Sequence, residues 1–177
     1  LGYKAYRFSL SWTRILPDGT GKMNQPGIDF YNRLIDELLV ADIHPLLTLY
    51  HWDLPIALPG GWLERSTAAA FAEYTGVAAR AFGDRVKQWV TINEPFCASF
   101  LSYKHGRHAP GIQDPYKALL AAHHVLLAHG LAVPVLRSEV TDAQVGITLN
   151  EGPFYPVTRA CSDLDAARHA DGELNRW

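Results

Sequence analysis

The sequence predicts an α/β fold: part of a (β/α)8 or TIM barrel, about four parallel strands with their helices. Three observations carry this. Short strand-like segments alternate with helical stretches, the order that builds a parallel sheet through right-handed crossovers. Segments that follow the strands are long and hold the unusual residues, whereas those that precede them, such as Asp42-Ile43-His44, are short. That asymmetry belongs to a barrel with its function on one rim. The chain has 177 residues, and a complete eightfold barrel takes at least about 200. Residues 1–177 therefore read as a single partial TIM-barrel domain, an interior fragment without the first strand and the C-terminal half.

The first strand candidate covers residues 3–9 and contains Tyr3, Tyr6 and Phe8, side chains that suit a strand. A helix follows over residues 27–42. There Ile28, Tyr31, Leu34, Ile35, Leu38 and Leu39 recur at helical spacing and leave Asp29, Arg33 and Asp36 outward. Residues 45–51 form the second strand candidate, an apolar run of the kind buried on both faces. The second helix covers residues 66–82, with Phe71, Tyr74, Ala78 and Phe82 on one side. Residues 86–93 are the third strand, and Pro95 supports its ending there because proline lacks the N–H a continuing ladder needs. The third helix opens at Asp114-Pro115, an N-cap residue followed by proline at the first helical position. It runs through Leu119, Leu120 and Val125 to about residue 131, where Gly130 and Pro134 interrupt the pattern. Residues 144–150 are the fourth strand. A last helix starts near Ser162, and Ser162 with Asp165 is spaced like a capping box that uses Asp for the usual Glu. No internal repeat, low-complexity tract or domain boundary is evident.

Composition excludes several classes. Charged residues make up 19% of the chain, below the roughly 25% of an average soluble protein, which fits a chain that buries much of itself. A formal net charge of −2 and scattered Lys and Arg leave no basic face for nucleic acid. No apolar stretch approaches the ~20 residues of a membrane span, and the opening Leu1-Gly2-Tyr3-Lys4 has no signal-peptide layout. Cys97 and Cys161 form neither a CxxC pair nor a disulfide framework, which points to a reducing, cytoplasmic compartment. His123, His124 and His129 sit among Leu and Ala without an HExxH pattern, and His105 and His108 lie in a loop without a carboxylate cluster. No GxGxxG string or P-loop occurs. Neither a metal nor a nucleotide cofactor is expected.

The chemistry centres on Thr91-Ile92-Asn93-Glu94-Pro95. Glu94 stands where a parallel strand ends, and α/β barrels keep their reactive groups at that end. Glycoside hydrolysis needs one carboxylic acid to protonate the leaving oxygen and a second carboxylate to attack the anomeric carbon or to activate water. Asn93 is placed to hydrogen-bond a sugar hydroxyl. Taken alone, a Glu-Pro dipeptide fits a structural strand-end carboxylate better; the whole string in its setting reverses that. His51-Trp52-Asp53-Leu54-Pro55 follows the second strand in the same topological position. An indole offers an apolar face to a sugar ring and an imidazole a hydroxyl partner, although core packing of Trp52 and a capping role for His51 would explain an isolated pair. Asp53 is expected to orient backbone at the turn. Arg7 lies within a strand among aromatic neighbours, and a buried arginine needs an anionic partner, structural or catalytic. Asn150 closes the fourth strand and either reaches the same rim or caps a turn. Phe96, Cys97 and Leu101 pack under the loop or line the outer part of a pocket, and Cys97 has no base beside it that would make it a nucleophile.

Together these strings resemble glycoside hydrolase family 1, the β-glucosidase family, over nearly the whole chain. Tyr6-Arg7-Phe8-Ser9-Leu10-Ser11-Trp12 is similar to that family's second barrel strand, His51-Trp52-Asp53-Leu54-Pro55 to its third-strand motif, and Thr91-Ile92-Asn93-Glu94-Pro95 to its fourth. His108-Ala109-Pro110-Gly111, residues 145–150, and Asp171-Gly172 with Asn175-Arg176-Trp177 resemble its later segments. The six strings stand in the family's order, which is far more specific than any one of them. The resemblance implies a retaining β-glycosidase that cleaves terminal β-D-glucosyl residues or related β-glycosides without a cofactor. Glu94 would be the acid/base; His51, Trp52 and Asn93 would hold the non-reducing sugar; Arg7 would lie beside the nucleophile, and Asn150 would reach the leaving-group side. Glu in place of Gln at position 94 argues against the plant thioglucosidase branch, whose activated leaving group needs no acid.

The family's first-strand Gln motif, its nucleophile motif Thr-Glu-Asn-Gly, and the late Trp and Glu residues that grip the sugar's outer hydroxyls are missing here. The chain is thus expected to carry the acid/base half of a β-glucosidase site and to be inert alone. It would act on a small-molecule β-glucoside or oligosaccharide once the remaining barrel half, in the same or a second chain, supplies the nucleophile. The alternative is a non-catalytic half-barrel that binds sugars or self-associates through its unpaired edges. Glucose, galactose, fucose and 6-phospho sugars all stay open as the glycone.

Overall fold

The computed structural model describes residues 2–176. Its centre is a four-stranded parallel sheet in the order β1-β2-β3-β4, with β1 at Ala5–Ser9, β2 at His44–Tyr50, β3 at Gln88–Asn93 and β4 at Gln144–Thr148. Each strand after the first pairs with its predecessor in the chain, so the sheet is an arc of a barrel with β1 and β4 as its edges. The register aligns Ser9 with Thr48, Tyr50 with Ile92, and Asn93 with Thr148, with an irregularity between Val90 and Asn93. All carboxyl ends therefore come out on one rim.

Among the described residues five α-helices accompany the sheet: α1 Trp12–Ile15, α2 Gln25–Val40, α3 Arg65–Phe82, α4 Pro115–Glu139 and α5 Cys161–Asn175. Ile28, Tyr31 and Ile35 of α2 and Phe71, Tyr74, Ala78 and Phe82 of α3 are buried, on the faces that helical spacing predicts. They join Trp12, Trp62, Trp89, Leu47, Leu49 and Ile92 in one core. Trp12 stacks on Tyr74 at 5.1 Å between ring centroids and donates its indole N–H to Gly19 O at 3.0 Å. Truncating an aromatic side chain in such a core costs about 3–5 kcal/mol. Gly27 carries no side chain because a Cβ there would run into the carbonyl oxygen of Arg14, where α2 crosses α1.

Several boundaries differ from the sequence reading. Helix α2 starts at Gln25, ahead of the predicted residue 27, because Pro26 fits a first helical turn. Strand β3 starts at Gln88 rather than residue 86, because Val86 N–H still donates to Phe82 O at 2.8 Å, prolonging the end of α3. Strand β4 stops at Thr148, before Asn150. Helix α4 passes through Gly130 and Pro134 to Glu139. Ala128, Ala132 and Leu136 are fully buried along its packed side, and tertiary packing carries a helix past a breaker that propensity alone would obey. The Ser162–Asp165 capping box does not form. Ala160 is the N-cap of α5, and Asp163 accepts instead from Thr158 N–H at 2.9 Å and Thr158 O–H at 2.6 Å. The Asp114 cap is as predicted: its Oδ1 accepts from Tyr116 N–H at 2.9 Å and Lys117 N–H at 3.2 Å.

Three short elements have no counterpart in the sequence reading: helix α1 at Trp12–Ile15, a 3-10 turn at Gly61–Leu63 and a π-helical turn at Cys97–Leu101. The reading that no apolar stretch approaches a membrane span also needs correction, because α4, at 25 residues, is long and apolar enough to cross one. Its Ala118, Ala121, Ala122, Val125, Ala128, Ala132 and Leu136 are buried in the fold, while Leu119, Leu120, Leu126 and Leu131 stay exposed. Leu1 and Trp177, the latter the last residue of the Asn175-Arg176-Trp177 string, lie outside the described residues.

Candidate active site

At the end of β3, Asn93 is 3% exposed and Glu94 is half-buried. Glu94 adopts φ 49°, a left-handed conformation that costs a non-glycine residue about 1–3 kcal/mol. The surroundings hold it there. Glu94 N–H donates to Thr148 O of β4 at 2.8 Å, and its carbonyl accepts from Cys97 N–H at 2.9 Å and Ala98 N–H at 3.2 Å. The chain thus leaves the strand through Pro95 directly into the π-helical turn. That turn returns Cys97 to the Glu94 side chain, whose Oε2 accepts the thiol proton at 3.2 Å. Asn150 Nδ2 donates to the same sulfur at 3.7 Å. Burial, reinforced by the adjacent Glu94 carboxylate, pushes the Cys97 thiol up to about 12, so it remains S–H.

Arg7 of β1 departs from its predicted setting. It is exposed, not buried, and it makes no ion pair among the described residues. Its Nε donates to Thr48 Oγ1 at 2.9 Å, and its Nη2 donates to Asn93 Oδ1. Arg7 lies on an edge strand, on the side of the arc that four strands leave open, so the guanidinium stays hydrated and needs no counter-charge.

Behind β2, His51 Nδ1 lies 2.7 Å from Ser9 Oγ, and burial followed by the Arg7 charge lowers its pKa. Trp52 takes φ 79° and donates its indole N–H to Asn93 O at 2.9 Å. It is 37% exposed, flanked by His51 at 4.8 Å and His108 at 4.9 Å between ring centroids. Core packing therefore does not account for it. Asp53 Oδ2 accepts from Trp12 N–H at 2.9 Å, and burial raises its pKa. It orients backbone, as the sequence suggests.

The fold accordingly brings Arg7, Trp52 and Asn93 into one hydrogen-bonded set and Glu94, Cys97 and Asn150 into a second, joined through the backbone between Asn93 and Glu94. His51 adjoins the first set. A cavity of about 790 Å³ opens beside Trp52, lined by Leu54, Trp62, Tyr103, His108 and Pro110 among others. A smaller one of about 180 Å³ lies by Pro95, Phe96, Leu149 and Asn150. Neither Asn93 nor Glu94 lines either cavity. Among the described residues no group of three or more His, Cys, Asp or Glu side chains is placed to hold a metal ion.

Sequence reasoning missed Ser9 as the partner of His51, His108 as a ring beside Trp52, and the bond from Cys97 to Glu94. Only the last had a legible signal: position 97 is three residues past 94, a spacing that brings side chains together once the strand turns into a helix.

The model of glycosyl hydrolase family 1 matches residues 1–177. Beta-glucosidase A of Thermotoga maritima is 52% identical over 170 residues, covering 95% of this chain and 38% of its own length. Beta-glucosidase A of Acetivibrio thermocellus is 48% identical over 179 residues, covering 100% of this chain and 40% of its own. Among solved structures, a beta-glucosidase from Thermotoga maritima in complex with deoxynojirimycin superposes with a TM-score of 0.94 at 50% identity, over 98% of this chain and 40% of that one. The chain thus spans about 38–40% of the length of these relatives.

Proposed function

The chain belongs to glycosyl hydrolase family 1, and on that premise we propose that it forms the acid/base half of a retaining β-glucosidase site, acting on terminal β-D-glucosyl residues. Glu94 gives its proton to the glycosidic oxygen as the bond to the anomeric carbon breaks. A second carboxylate, supplied by barrel strands beyond these four, forms the glycosyl-enzyme bond. Glu94, now ionised, takes a proton from the water that hydrolyses that intermediate and returns to its starting state. Trp52 offers its indole to the sugar ring, and His51, neutral at pH 7, offers Nε2 to a hydroxyl. With its oxygen engaged by Arg7, the Asn93 carboxamide presents its NH₂ to the sugar. Arg7 lies toward the nucleophile and Asn150 toward the leaving group. The unpaired thiols of Cys97 and Cys161 support a cytoplasmic location.

The observation that carries this reading is the strand-end set itself. A carboxyl group, a carboxamide pinned by an arginine, and an exposed indole bound to the same residue's backbone come from three strands on one rim. The test is hydrolysis of a chromogenic β-glucoside by this chain with the remaining barrel strands supplied in the same polypeptide. Activity is expected. Glu94→Ala is expected to lose on the order of 10²–10⁴ in kcat/KM on a substrate with a poor leaving group. Full activity of Glu94→Ala on that substrate would remove the role given to Glu94.

A further inference from the structure

We propose that Cys97 is a positioning residue for Glu94: its thiol, itself held by Asn150, engages carboxyl oxygen Oε2 and reserves Oε1 for the transferred proton. This rests on the acid/base reading of Glu94.

The geometry is directional. A thiol has one proton and a weak acceptor sulfur. The Asn150 N–H is aimed at that sulfur at 3.7 Å, and the S–H is aimed at Glu94 Oε2 at 3.2 Å, so the chain of donors runs from Asn150 through Cys97 to Glu94. Cys97 is 5% exposed, and its backbone is fixed from both sides. Cys97 N–H donates to Glu94 O at 2.9 Å, and Cys97 O accepts from Ser102 Oγ at 3.1 Å. Among the described residues Oε1 has no hydrogen-bond donor, which leaves it as the oxygen free to carry a proton.

The choice of sulfur suits a group that must be both acid and base. A strong hydroxyl donor at this place would favour the carboxylate over the carboxylic acid, and an apolar side chain would favour the acid. A thiol is intermediate. During glycosidic cleavage the proton on Oε1 passes to the departing oxygen; in the second step Oε1 takes a proton from water. The Cys97 proton stays on sulfur throughout, in keeping with its high affinity for it.

The experiment compares Cys97→Ala and Cys97→Ser in the protein with its barrel complete, using an alkyl β-glucoside and a dinitrophenyl β-glucoside. The alkyl substrate needs an acid and the other does not. For Cys97→Ala, the loss of kcat/KM on the alkyl substrate should exceed that on the dinitrophenyl substrate by about fivefold, the size expected for one hydrogen bond. The alkaline limb of the pH–rate profile should move down for Cys97→Ser and up for Cys97→Ala. Equal losses on both substrates, or an alkaline limb that moves in neither variant, would overturn the proposal. Glu94→Gln separates the two readings. If it shows the leaving-group split and the Cys97 variants do not, only the role of Cys97 falls; if Glu94→Gln shows no split, the role of Glu94 falls and that of Cys97 with it.

Discussion

Arg7 and Asn93, 86 residues apart in sequence, are joined across the full width of β2. One guanidinium nitrogen binds Thr48 Oγ1 on the intervening strand and another binds the Asn93 carboxamide oxygen. Because Asn93 is buried and its oxygen is taken, its orientation is set before any ligand arrives. A double-mutant cycle with Arg7→Met and Asn93→Ala, read by urea unfolding, should give a coupling of about 1 kcal/mol, modest because Arg7 is exposed. Additive effects of the two substitutions would mean that the contact contributes nothing in solution.

Glu94 holds a conformation that glycine adopts freely and alanine does not. Glu94→Gly and Glu94→Ala both delete the carboxyl group, but only the first relieves the backbone. The glycine variant should therefore be the more stable by about 1 kcal/mol despite its larger unfolded-state entropy. The order of their thermal midpoints is the readout, and a more stable alanine variant would show that the strain is not there.

His51 has a pKa below its ordinary 6.5, through burial first and the Arg7 charge second. The folded state therefore resists protonation that the unfolded chain accepts. The associated stability is fully present above pH 6.5 and is lost as pH falls from there through the folded-state value. His51→Gln should flatten this part of the stability profile measured between about pH 5 and 8. An unchanged slope would place the acid sensitivity elsewhere.

The strands and the helical faces were legible because burial imposes its own period on the sequence. Phe71, Tyr74, Ala78 and Phe82 repeat along a helix, and residues 45–51 run apolar because both faces are covered. Glu94 and Asn93 were legible because strand, Asn-Glu and Pro95 stand in one order. What escaped depended on distant partners. Aromatic neighbours made Arg7 look buried, yet its position on an edge strand lets it face open space. Pro134 reads as a stop, but the buried face of α4 continues through it. The three-residue spacing of Glu94 and Cys97 allows their contact, but nothing local announces the left-handed exit from the strand and the π-helical turn that bring it about.

The bridge from Arg7 through Thr48 to Asn93 also bears on how the chain assembles. In a sheet, a slip of one residue reverses which side every group faces. If β3 docked one position out of step on β2, Asn93 would turn toward the helices and Arg7 would lose its partner on that strand. The polar set at the rim thus acts as a proofreading device for alignment, rewarding only the pairing in which the reactive groups also face the same way.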